Sequence, residues 1–207
     1  MEILKPFGPS IVKTKIPNEM IDRMNEYVEE VIEDSNRQEK LDYGHKLAGN
    51  VRQEFLLEND FMKKIKWADF LALNVKEWLK NETDKELKHL HIKSSWIVRQ
   101  FKDEYNPIHY HGGHISGVGY LKVPSYLGEK RQEKKKVNNN GKLVLIHGSK
   151  NLLCNATYPV TPRVGDFYLF PNYLLHAVWP FTSTEEERRS ISFNATLDAE
   201  ASTYQLM

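Results

Sequence analysis

Asn106-Pro-Ile-His109-Tyr-His111-Gly-Gly-His114-Ile-Ser-Gly-Val-Gly-Tyr-Leu-Lys-Val-Pro124 places three of the chain's eight histidines within six positions. Neutral imidazole is the commonest protein ligand for iron, zinc and copper. Side chains alternate faces along an extended strand, so His109 and His111 share one face and Tyr110 takes the other. His114 follows two glycines that turn the chain, and alternation does not fix its direction. Ile115 to Leu121 then reads as a strand leading back into a core. Two imidazoles on one face are half a metal site, although His-x-His alone is also a plain edge feature. A second half is offered further on, in Phe170-Pro-Asn-Tyr-Leu-Leu-His176-Ala-Val-Trp-Pro180 and Arg188-Arg-Ser-Ile-Ser-Phe-Asn194.

The 207 residues fit one domain, with 40% hydrophobic and 11% aromatic content to fill its core. A formal net charge of +1 gives no footprint for nucleic acid or an anionic membrane. The lone cysteine, Cys154, rules out an internal disulfide, fits a reducing cytoplasm and is expected to be a small packed residue. There is no signal-like start and no apolar run of membrane-spanning length, so a cytoplasmic location is expected. Oligomeric state is not readable.

Working outward, residues 2–15 read as one or two short strands. Met20, Ile21, Met24, Tyr27, Val28 and Ile32 recur at helical spacing and predict a helix over 18–35. Residues 36–59 read as mixed, loop-punctuated chain, with His45 on the surface. The stripe Phe61, Ile65, Trp67, Phe70, Leu71, Val75 and Trp78-Leu79 predicts a second helix over 60–81, lying flat on a sheet. From Leu87 short strands alternate with turn signals, with a charged connection over 128–141 that serves as a solvent loop or a lid. The expected fold is mainly β with supporting α-helices around a double-stranded β-helix, or jelly roll. We expect a single domain: helical support over about 1–86, jelly-roll core over about 87–197 and a tail over 198–207.

His109-Tyr-His111 leading into Ile115-Ser-Gly-Val-Gly-Tyr-Leu121, Gly165-Asp-Phe-Tyr-Leu-Phe-Pro171, Leu175-His176-Ala-Val-Trp-Pro180 and Arg188-Arg-Ser-Ile-Ser-Phe-Asn194 come in an order that resembles the Fe(II)/2-oxoglutarate-dependent oxygenases. The resemblance spans about 90–197 and is close to a group of that superfamily found in bacteria and their phages. It implies Fe(II), 2-oxoglutarate as cosubstrate and O2, with C–H hydroxylation the usual outcome. His176 would clamp the metal from a distant strand. The 2-oxoglutarate C5 carboxylate needs a forked cation, and Arg188 with Ser190 fits the arginine-x-serine pattern. Alternation puts Arg188, Ser190 and Ser192 on one face and Arg189 on the other, as a surface ion pair. A slip of one residue would exchange the two arginines.

One departure matters. The usual set is His-x-Asp/Glu with a distal histidine, and no carboxylate stands two positions after His109 or His111. Either His109, His111 and His176 form an all-histidine set, the reading preferred here, or His111 and His176 act alone with Gly113 in the carboxylate's place. Asp103 and Glu104 are near enough in sequence to approach, whereas Asp166 is expected to shape the Gly165-Asp166 turn. His114 is expected beside the ligands or facing substrate, and His89, His91 and His147 in structural positions. Trp96, Arg99, Tyr120 and Trp179 are candidate pocket walls. Three alternatives stand beside the oxygenase, one of them a one-metal zinc hydrolase that fits the histidines but leaves Arg188 unexplained. A cupin-like metal protein shares the barrel but normally has glutamate where Ile115 stands. A non-catalytic ligand-binding jelly roll leaves the histidines and Arg188 unexplained. The primary substrate is not readable, nor is hydroxylation separable from halogenation.

Overall fold

The structure is a computed structural model and describes residues 8–83, 85–130, 132–182, 184–198 and 202. Ten strands appear among them: β1 Val12–Lys15, β2 Gln53–Leu56, β3 Leu90–Gln100, β4 Asn106–His109, β5 Ile115–Lys122, β6 Leu143–Ile146, β7 Thr157–Val160, β8 Asp166–Pro171, β9 Leu175–Val178 and β10 Arg188–Leu197. Four helices accompany them: α1 Asn18–Glu33, α2 Ser35–Leu41, α3 Asn59–Lys64 and α4 Trp67–Glu82.

Two antiparallel sheets result, one ordered β1-β8-β5-β10-β3-β2 and the other β4-β9-β6-β7. From β3 onward the chain passes repeatedly between them, which makes the strand core a jelly roll. The outer strands β1 and β2 come from the part of the chain expected to be helical support, so that part also extends the larger sheet. Most of the expected tail lies outside the described residues, as does the start of the expected first strand.

The larger sheet divides its side chains strictly by alternation. On β10, Ile191, Phe193 and Ala195 join the helix-side core with Ile97 of β3 and Phe167 and Leu169 of β8. Trp67, Leu71, Val75 and Trp78 are the buried face of α4, and Ile21, Met24, Tyr27, Val28 and Val31 that of α1. Each such side chain contributes roughly 1.5–3 kcal/mol by leaving water. The Trp67 indole N–H donates to Ser95 Oγ (2.9 Å), and Ser95 Oγ–H donates to the Ser192 carbonyl (2.9 Å), pinning α4 to the middle of the sheet. The glycines of Ser116-Gly-Val-Gly119 allow this packing, since a Cβ at either would stand 2.5 Å from the Phe193 or Phe167 ring. A second apolar cluster, including Tyr120, Leu143, Tyr168, Phe170 and Val178, fills the space between the sheets.

The helix expected over 60–81 is broken in two. Lys66 adopts φ 57° as the residue before α4, and the aromatic stripe continues across the break, so periodicity alone hides it. The short α2, capped by Asp34 accepting from the Asn36 and Arg37 amides, was also not anticipated. Cys154 is exposed rather than packed, at a tight bridge between Asn151 and Cys154. Asp166 closes the turn at Val164-Gly165, its amide donating to the Arg163 carbonyl (3.0 Å). It opens β8, and its buried carboxylate is held by Lys13 (2.8 Å) and Lys15 of β1. His89, His91 and His147 are exposed.

Arg189 is 1% exposed, which corrects the expectation of a surface pair. Its guanidinium donates to Glu187 (2.7 and 2.9 Å) and to Glu29 of α1 (2.7 Å), while Arg99 also donates to Glu187 (2.9 Å). Burial acts to raise the Glu187 carboxyl, but hydrogen bonds from Arg189 and Arg99 outweigh it and hold the carboxyl below its ordinary value. Its ionised form therefore stabilises the fold above the unfolded carboxyl's pKa, and that stability is lost as pH falls through the folded value. Arg189→Leu is expected to lower unfolding stability by about 3 kcal/mol, because one partner of a buried ion cluster is removed. Urea denaturation at neutral pH and again in acid checks this: the gap between variant and wild type should close in acid.

Candidate metal centre

β4 and β9 pair across the smaller sheet with His109 directly opposite His176, although the two lie in distant parts of the sequence. His111 follows β4 in a loop held at both ends of one asparagine. Its amide donates to the Asn172 carbonyl (3.0 Å), and Asn172 Nδ2 donates back to the His111 carbonyl (2.8 Å). The ligand-capable nitrogens of His109, His111 and His176 lie within 4.8 Å of one another. Among the described residues no carboxylate joins them.

Local bonds decide which nitrogens face inward. His109 Nδ1 donates to the Pro107 carbonyl (2.7 Å) and His176 Nδ1 to the Leu174 carbonyl (2.9 Å), which leaves each Nε2 with a free lone pair. The His176 and His111 Nε2 atoms are 3.2 Å apart. At that distance a neutral His111 can donate its Nε2–H to the His176 lone pair, and a metal between the rings would take the place of that proton. Metal–imidazole bonds of about 2.0–2.1 Å put neighbouring ligand nitrogens about 3 Å apart, so the spacing fits a shared metal. Burial first, then the neighbouring imidazoles, pushes His111 down to about 3 and His176 down to about 4. Burial likewise lowers His109. All three rings are thus neutral donors at ordinary pH, a set that suits iron, zinc, copper or nickel.

The imidazoles open on a cavity between the sheets, lined also by Trp96, Val98, Tyr120, Phe170, Arg188, Ser190 and Ser192. Arg188 is 2% exposed. Its Nη1–H donates to the Gly141 carbonyl (2.8 Å), but its Nε–H has no partner among the described residues. The buried Tyr120 hydroxyl is equally unpartnered, and the guanidinium carbon lies 5.8 Å from the Tyr120 ring centre. Burial lowers the Arg188 pKa against the opposing pull of Tyr120. A cation and a hydroxyl, both dry and both with free donors, make a receptor for a carboxylate.

Other candidates fall elsewhere. Trp96 and Tyr120 line the cavity, whereas Arg99 belongs to the Glu187 cluster and Trp179 is half-exposed. Glu104 accepts from the Phe101 amide, and neither it nor Asp103 reaches the histidines. His114 Nδ1 accepts from the Leu197 amide (3.0 Å), so it braces the end of β10 rather than facing the cavity. The connection over 128–141 bears on the site through its last residue, the Gly141 that Arg188 holds. Sequence reading passed over Asn172, which braces His111, and Glu54, a buried carboxylate on the cavity wall.

The strand core is thus a jelly roll in which three histidines that could hold a metal face a buried arginine across the gap between the sheets. Residues 94–194 match the family described as "Putative 2OG-Fe(II) oxygenase", a segment of nearly half the chain that carries all three histidines and Arg188. The segment is similar to that family of 2-oxoglutarate/Fe(II)-dependent oxygenases. No curated protein sequence matches the chain. Among solved structures, AviO1 from Streptomyces viridochromogenes superposes with TM-score 0.61 at 13% identity, covering 93% of this chain and 91% of its own. HygX from Streptomyces hygroscopicus, with nickel, 2-oxoglutarate and hygromycin B bound, gives 0.58 at 12%, covering 92% and 84%. The viral collagen prolyl hydroxylase of Paramecium bursaria Chlorella virus-1 gives 0.54 at 15%, covering 89% and 94%. At these identities the likeness is one of fold.

Gly113 bears on the two-histidine alternative. Its φ is +121°, and a Cβ there would stand 2.7 Å from the Ala195 carbonyl oxygen. That backbone leaves no room for a carboxylate side chain. Gly113→Asp is expected to cost about 1–3 kcal/mol through strain at a glycine-only conformation. In a His111→Ala background it should not restore metal affinity; a metal titration alongside thermal melting reads both.

Proposed function

We propose that the protein is an Fe(II)- and 2-oxoglutarate-dependent dioxygenase that hydroxylates a C–H bond, with His109, His111 and His176 holding the metal. The 2-oxoglutarate C5 carboxylate is received by Arg188 and Ser190, with the Tyr120 hydroxyl as an added donor. One observation carries the reading: a dry arginine with an unused donor faces, across one cavity, a cluster of three neutral imidazoles. A zinc hydrolase or a cupin accounts for the histidines and leaves that arginine without a purpose. Among the described residues no carboxylate bonds Arg188, which leaves it open to an incoming one.

The residues divide the work. His109 and His176 are locked by their Nδ1–H bonds so that each Nε2 points to the metal position, and Asn172 fixes His111 through its backbone. Arg188 and Tyr120 orient the keto acid by its far carboxylate, which sets its other end toward the histidines. Trp96, Leu143, Phe170 and Val178 keep water from the space between, where the low dielectric strengthens the charge contacts. Bound iron with O2 and the keto acid supplies the oxidation, giving succinate and CO2 as one oxygen atom enters the substrate. The solitary cysteine and the lack, among the described residues, of any helix long and apolar enough to cross a membrane accord with a reaction in the cytoplasm. We treat the chain as a single functional domain, since β1, β2 and α1 are joined to the sheet that carries Arg188.

Anaerobic mixing of metal-stripped protein with Fe(II) and 2-oxoglutarate tests this through the visible charge-transfer band of a chelated iron–keto-acid centre. The band is expected in wild type and absent in His176→Ala. His109→Ala and His111→Ala, made separately, should each weaken metal binding. Arg188→Ala should raise the 2-oxoglutarate needed for half-maximal band by roughly 10–100-fold, as about 1.5–3 kcal/mol of charged hydrogen bonding implies. Metal bound without the band would overturn the oxygenase reading in favour of a cupin-like protein, and failure to bind metal would leave a ligand-binding jelly roll.

A further inference from the structure

The same cavity has a second polar wall that neither the metal nor 2-oxoglutarate uses. Glu54 on β2 is 1% exposed and lines the cavity, and neither of its carboxylate oxygens has a hydrogen-bond partner among the described residues. The buried Oδ1 of Asn106, at the start of β4, is also unpartnered. These atoms converge. A Cβ built on Gly49 would stand 2.8 Å from Asn106 Oδ1 and 3.2 Å from Glu54 Oε1, so the bare glycine leaves open the space both oxygens face.

Register places this wall away from the arginine. Glu54 pairs with Val98, Val98 with Ser190, and Ser190 with Tyr120, giving one row across four strands. Glu54 therefore lies two strand spacings, about 10 Å, from Ser190. Among the described residues no cation answers it. Arg99 is committed to Glu187 and Gln53, and Arg188 bonds Gly141. The charge acting on Glu54 is Asp42, of the same sign; burial first and Asp42 second push the Glu54 carboxyl up to about 7. An unanswered carboxylate in a dry wall is costly unless a ligand completes it.

Two acceptors meet at the opening, Glu54 Oε1 and Asn106 Oδ1, and an ionised Glu54 brings no donor of its own. A hydroxyl would bring one donor and no charge, and a carboxylate would be repelled. An ammonium brings three donors and a compact positive charge. We propose that Glu54 and Asn106, around the opening at Gly49, form the subsite that receives a protonated amino group of the primary substrate. Calling that ligand the substrate rests on the oxygenase reading above; the amine subsite itself does not.

The test is calorimetric titration of the full chain with n-butylamine, 1-butanol and butyrate at pH 8, in wild type, Glu54→Gln and Gly49→Ala. Glu54→Gln keeps the shape and removes the charge. Gly49→Ala keeps the charge and fills the opening, so two independent changes address one site. The iron–2-oxoglutarate band is recorded in parallel on each protein. The amine is expected to bind wild type and to weaken at least 10-fold in both variants, with the alcohol and the acid not competing. Equal amine binding by wild type and Glu54→Gln, or alcohol binding as tightly as amine, overturns the subsite. Glu54-dependent amine binding in a protein that shows no band supports the subsite and overturns the oxygenase reading instead.

Discussion

Two adjacent arginines are withdrawn from water on opposite faces of one strand, and the barrel is arranged around how each is compensated. Arg189 faces the helices and is answered within the chain by Glu187 and by Glu29 of α1, with Arg99 sharing Glu187. Arg188 faces the cavity and is answered by a single carbonyl. A one-residue slip of β10 would bring Arg189 to the cavity and drive Arg188 into the apolar helix side. The ion cluster therefore fixes the register, and the register aims the unanswered cation. The N-terminal helix takes part in the same device, because Glu29 is one of the partners that make Arg189 tolerable in the core.

Much of this was legible in the chain. Strict alternation placed Arg188, Ser190 and Ser192 on one face and Arg189 on the other. The strand-rich half from Leu87 and the two N-terminal helical stripes were likewise visible as periodicity. What alternation does not encode is depth. Arg189 reads as a surface residue after Glu185-Glu-Glu187, because partners such as Glu29 lie far off in sequence. The break at Lys66 is invisible for a related reason: an αL residue can turn the backbone while the apolar stripe continues on both sides.

Glu54 shows the limit most plainly. In Arg52-Gln-Glu-Phe-Leu56 it reads as one polar position in a short, mixed stretch, and nothing local distinguishes it from a solvated carboxylate. Its burial arises because β2 adds to the edge of the larger sheet beside β3, which turns alternate side chains into the cavity. His114 errs in the opposite direction. It sits in the most conspicuous histidine cluster of the chain, yet the turn at Gly112-Gly113 directs it to the Leu197 amide. Proximity in sequence overstated one residue and understated the other.

The donor set also constrains charge. A carboxylate among the ligands would offset part of a metal's charge, whereas three neutral imidazoles offset none, so in the proposed arrangement the histidine side stays strongly positive. Arg188 adds to that sign, and an ionised Glu54 opposes it from another wall of the cavity. In a space of low dielectric such a division sorts ligands by charge. A doubly anionic keto acid would be drawn to the arginine and histidines and repelled from an ionised Glu54, while an amine would experience the reverse. In the proposed arrangement the wall charges themselves would keep cosubstrate and substrate from exchanging places.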